Sequence, residues 1–167
     1  MAYTLEQLAA DCKAALQQND GPDGRAQVRD CIKKACNDDN FVSEHLGADD
    51  APDRKIIYED PDFGFCILAH VYRGAKHSNP HDHGPSWAVY GQAAGETSMT
   101  DWTVLKKPEN GEPGLVKADR TYTLKRGDAY LYNIGDVHSP SREGETRLIR
   151  VEGMDMMKVK RDKFEIA

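Results

Sequence analysis

Apolar positions along this chain change their period once. Near the N-terminus Leu5, Leu8, Ala9, Cys12, Ala15 and Leu16 recur three and four apart, the spacing that stacks side chains on one face of an α-helix. Thr4-Leu5-Glu6-Gln7 reads as a capping box, with Thr4 as N-cap and Gln7 reaching back. Asp20-Gly21-Pro22 stops this helix. A second amphipathic helix is predicted from about Asp23 to Cys36, burying Val28, Ile32, Ala35 and Cys36. A short third one, capped by Asn40, carries Phe41, Val42 and Leu46 and ends at Gly47.

From Arg54 onward the pattern becomes short apolar runs broken by turn residues. Strands are predicted at Lys55–Glu59, Phe65–Tyr72, Trp87–Gly91, Glu96–Leu105, Thr121–Leu124, Ala129–Tyr132 and Arg147–Val151. Lys158–Ile166 can add an edge strand. About eight strands at this spacing argue for a closed β-barrel or jelly roll. The fold class expected is therefore mainly β, behind a block of two to three helices. No break asks for a second domain: 1–167 reads as one unit, with 1–47 a helical extension and 54–167 the barrel.

Composition narrows the function classes. The chain has 167 residues, with 22 Lys and Arg against 28 Asp and Glu, a formal charge of -6. No basic cluster stands out, so no nucleic-acid partner is expected. The apolar runs are short, the longest near Phe65-Cys66-Ile67-Leu68-Ala69, so no membrane span is expected. Met1 to Glu6 shows no basic region leading into an apolar stretch. Cys12, Cys31, Cys36 and Cys66 match neither a zinc spacing nor a disulfide framework. Reduced thiols and a cytoplasmic location are the expectation.

The chemistry concentrates in Asn79-Pro80-His81-Asp82-His83-Gly84-Pro85-Ser86-Trp87. On a strand, His81 and His83 point to one face and Asp82 to the other. Two imidazoles on one face make half a metal site. His138, in Gly135-Asp136-Val137-His138-Ser139-Pro140, is the candidate third ligand. Trp87, Tyr90, Tyr130 and Tyr132 either line a pocket or pack the barrel. His77 reads as a surface residue, and His45 and His70 as structural.

These residues resemble the two motifs of the cupin family. The first reads His81-Asp82-His83, then Ala88 in the slot usually held by Glu, then Gly95. The second reads Gly127, Asn133 where Pro is usual, Gly135 and His138, with Arg142 where Asn is often found. The resemblance covers about Arg54 to Val151 and implies a cupin (RmlC-like) jelly-roll β-barrel with a metal inside. Loss of the Glu leaves three neutral ligands and about three open positions, which favours an anionic substrate such as a thiolate or enolate.

Within the cupins this arrangement is similar to the thiol dioxygenases, typified by cysteine dioxygenase and mercaptopropionate dioxygenase. That likeness implies Fe(II) as cofactor (with Zn, Ni, Mn or Cu possible as purified), held by His81, His83 and His138. It also implies O2 and a small thiol carboxylate as substrates. Arg54 stands where the family places the Arg that anchors the carboxylate. Two family features are missing. The cross-linking Cys would fall near Ala88, and the Ser-His-Tyr trio has no match around Arg147-Leu148-Ile149-Arg150-Val151. Both weigh against cysteine itself as substrate. Other readings are a metal cupin that cleaves diketones and a non-catalytic small-molecule-binding barrel. A homodimer through edge strands is what the resemblance suggests.

Overall fold

The computed structural model describes residues 2–167. The helical periodicity produces α1 (Leu5–Gln18), α2 (Pro22–Cys36) and α3 (Asp39–Leu46). The capping box forms: Thr4 Oγ1 accepts from the Gln7 N–H at 3.1 Å, and Gln7 Oε1 from the Thr4 N–H at 3.0 Å. Two boundaries differ from expectation. Pro22 opens α2 rather than preceding it, because the N–H it lacks would have no helical partner there. Asp38, not Asn40, caps α3: its carboxylate accepts the Phe41 N–H at 2.9 Å and the Tyr3 N–H at 2.9 Å.

The remainder forms β1 (Lys55–Glu59), β2 (Cys66–Tyr72), β3 (Lys76–His77), β4 (Ala88–Ala94), β5 (Thr97–Lys106), β6 (Gly114–Leu124), β7 (Ala129–Tyr132), β8 (Val137–Arg142), β9 (Thr146–Glu152) and β10 (Phe164–Ile166). They assemble into two five-stranded sheets, ordered β1-β2-β9-β4-β7 and β10-β6-β5-β8-β3. Only β10 runs parallel to its neighbour among the paired strands. The expected jelly-roll β-barrel behind a helical block is the architecture adopted. Strand β8 was not expected. Its residues Val137-His138-Ser139-Pro140-Ser141-Arg142 are mostly polar, and Pro140 disfavours a strand inside a sheet. It pairs nonetheless with β5 and, through two residues, with β3.

The first sheet carries the helices. Ile67, Val71, Val89, Ile149 and Val151 point outward and form one buried cluster with Val28, Ile32 and Cys36 of α2. Each such side chain contributes about 1.5–3 kcal/mol on burial. Gly91 sets how closely α2 lies on β4: a Cβ there would stand 2.4 Å from Ile32 Cγ2 and 2.7 Å from Cys36 Sγ. Register then decides the inner face. Cys66 and Ala88 lie opposite Glu152, Leu68 and Tyr90 opposite Arg150, and His70 opposite Leu148. Because strand side chains alternate, all of these turn into the barrel.

Candidate metal centre

The three sequence-predicted histidines meet, though the local backbone is not the one expected. His81 and His138 form an isolated antiparallel bridge, exchanging N–H···O bonds of 3.0 and 2.9 Å. His83 does not continue a strand. Asp82 Oδ1 accepts the Gly84 N–H at 3.0 Å, and Gly84 takes φ +58, a conformation that favours glycine. The turn this makes re-aims His83, so a bend takes the place of strand alternation. Asp82 stays outside the cluster.

The ligand atoms of His81, His83 and His138 all lie within 4.8 Å of one another. His83 Nε2 and His138 Nε2 are 3.3 Å apart. Three nitrogens at about 2.0–2.1 Å from one metal stand about 3 Å from each other, so this spacing fits a metal. The tautomers fit as well. His81 Nδ1 is 2.8 Å from the Asn79 carbonyl and His138 Nδ1 3.1 Å from the Asp136 carbonyl. A carbonyl only accepts, so each Nδ1 carries its proton and each Nε2 keeps a lone pair facing the cluster. Burial holds the His81 imidazole down to about 4. His83 and His138 are also pushed well below the ordinary value, by burial first and then by a neighbouring imidazole of the cluster. All three are neutral near pH 7, the form that ligates. Among the described residues no carboxylate joins the cluster.

Tyr90 completes the centre, and sequence reasoning left it open. Two residues beyond Ala88 on β4, its hydroxyl is 3.0 Å from His83 Nε2, 3.1 Å from His138 Nε2 and 3.4 Å from His81 Nε2. Tyr132 stacks on His138 with ring centroids 4.1 Å apart. Its hydroxyl is 2.7 Å from that of Tyr122. Trp87 packs in the helix-facing core, and Tyr130 lies against Tyr122.

A cavity of about 720 Å³ opens onto His81 and His83. Arg54 lines it, with Nη2 3.0 Å from Asp155 Oδ1. His77 is exposed beside Ser141, away from the cluster. His70 lines the cavity wall with Nδ1 2.8 Å from the Tyr72 hydroxyl. Sequence reasoning missed the charged lining contributed by β8 and β9. Arg142 is 1% exposed and Glu152 2%, and Arg150 shares the same wall. Burial, then the like charge of Arg150, pulls the Arg142 guanidinium down to about 10. Burial pushes Glu152 up, against the pull of Arg150. The available signal was alternation on β9, where Arg150 and Glu152 share the face of Leu148 in a strand otherwise rich in apolar residues.

No family model and no curated protein matches the sequence. Solved structures do. A cupin-2 domain-containing protein from Shewanella frigidimarina is 16% identical over 67% of this chain and 90% of its own, with a TM-score of 0.47. A cupin superfamily protein from Desulfitobacterium hafniense is 12% identical over 61% of this chain and 76% of its own, with a TM-score of 0.43. KdgF from a Halomonas species is 18% identical over 63% of this chain and 83% of its own, with a TM-score of 0.43.

Proposed function

We propose that the chain is a mononuclear Fe(II)-dependent dioxygenase that oxidises the sulfur of a small thiol carboxylate to a sulfinate. The observation that carries this reading is the convergence of three neutral imidazoles, with no carboxylate among them, two of which line a cavity large enough for a small substrate. Bound iron would supply open ligand positions and electrons for a thiolate and O2. The protein supplies the rest. Carbonyls of Asn79 and Asp136 hold two imidazoles in the ligating tautomer. Once the Nε2 lone pairs are engaged, the Tyr90 hydroxyl loses those acceptors. Its proton can then be donated to a molecule bound beside it. The buried wall around it excludes bulk water and strengthens that hydrogen bond.

The test is O2 uptake by anaerobically iron-reconstituted protein offered cysteine, mercaptopropionate, cysteamine and mercaptosuccinate, with His138→Ala as control. Uptake with one thiol, lost in the variant, supports the reading. Silence across the panel with iron retained overturns thiol oxidation and calls for a diketone panel. Silence without iron retention leaves a binding barrel.

A further inference from the structure

The barrel interior holds more positive charge than its own carboxylates answer. Arg142, at 1% exposure, donates from Nε to Thr97 Oγ1 at 3.1 Å, but its buried Nη2 has no partner among the described residues. Arg150 has a buried Nε without a partner. Its nearest carboxylate is Glu152, at 3.8 Å, too long for a hydrogen bond. Glu152 in turn leaves Oε2 unpartnered. Asp53 and Asp162 also line the cavity, but both are exposed and neither pairs with Arg142 or Arg150. Arg54 is already engaged by Asp155. Two desolvated guanidiniums with open donors are costly to keep unless something negative meets them.

Their position says what that is. The Arg150 guanidinium lies over the Tyr90 ring, 4.0 Å from its centroid, and the hydroxyl of that ring touches all three imidazoles. The Arg142 guanidinium lies 5.0 Å from the Tyr72 ring on the same cavity wall. The Tyr90 ring thus separates the metal-facing nitrogens from the Arg150 guanidinium.

We infer that Arg142 and Arg150, rather than Arg54, form the anchor for the substrate's carboxylate. A planar carboxylate matches the fork of a guanidinium and can take donors from both. This inference rests on the proposed function for the identity of the metal-binding end, but not for the anchor itself.

The experiment measures binding by calorimetry to metal-free protein, without turnover. The probes are mercaptopropionate and its carboxamide, which differ only in charge and in the acceptor pair. The acid should bind at least tenfold more tightly than the amide. Arg142→Gln and Arg150→Lys should each cost the acid at least tenfold while barely moving the amide, and Arg54→Gln should cost less than threefold. Equal binding of acid and amide, or binding of neither, overturns the anchor. So does a loss confined to Arg54→Gln. The acid–amide comparison on the unmodified chain stands even where a buried arginine variant fails to fold. Iron content, measured separately, reports the fate of the metal reading. Retained iron without discrimination sinks the anchor alone, and discrimination without iron retention sinks the metal reading alone.

Discussion

The two faces of the sheet β1-β2-β9-β4-β7 are built from alternate residues of the same strands and share almost nothing chemically. Outward, Ile67, Val89, Ile149 and Val151 join the apolar stripes of the helices in one buried seam. Inward, His70, Tyr90, Arg150 and Glu152 face the cavity with several polar atoms unpartnered. One face lowers the free energy of the fold, and the other keeps charge and lone pairs poised for something else. A shift of one residue in register would exchange them. The apolar seam makes the unpaired interior tolerable, since stability is a small difference between large terms.

The comparison breaks most severely at Ile149. Replacing it with Asp places an unpaired charge in the seam beneath α2. The expected cost is about 4 kcal/mol or more, read as loss of the cooperative transition in urea. A folded Ile149→Asp protein of near-normal stability would mean the seam is not the main anchor of the barrel.

Acid separates the faces more gently. Near pH 8 the site histidines are neutral in both folded and unfolded chains and contribute nothing to pH dependence. Below the ordinary value of about 6.5 the unfolded chain takes up protons. The folded chain does not, because burial holds His81 down to about 4 and keeps His83, His138 and His70 well below the ordinary value. The unfolded state then binds more protons, so stability falls as pH drops. The melting temperature of metal-free protein should be flat from pH 8 to 7 and decline steadily from about 6.5 toward 4. His83→Ala should flatten that decline, and an unchanged slope would assign it to other groups.

The smallest effect is expected at Tyr90→Phe, which keeps the ring beneath Arg150 and removes the hydroxyl. Stability should change by about 1 kcal/mol or less, and metal stoichiometry should not change. O2 uptake should fall about tenfold, the worth of one hydrogen bond of about 1.4 kcal/mol. Unchanged uptake would reduce Tyr90 to a packing residue.

Much of this was legible along the chain. The Thr4 capping box, the stripe Val28-Ile32-Ala35-Cys36 and the strand Ala129–Tyr132 stand where the pattern put them, because helix caps and side-chain periodicity are local. The histidines were legible for a different reason: imidazoles at that spacing, followed by a third beyond a Gly-rich turn, have few uses. Asp38 was passed over as the cap of α3 because Asn40, two residues on, is an equally good capping type. Strand β8 was missed because Pro140 and four polar neighbours carry no strand pattern.

By itself, then, the sequence determined the helix-then-strand order, the likeness to a metal-bearing jelly roll and the three histidines. Only the tertiary structure decided that His83 is aimed by a bend at Gly84, that Tyr90 stands over the triad, and that Arg142 and Arg150 point inward with open donors. An arginine on a strand reads as a solvent-facing residue until two sheets close around it. Burial is a property of the closed barrel, set by contacts between residues far apart in the chain, and no local pattern carries it.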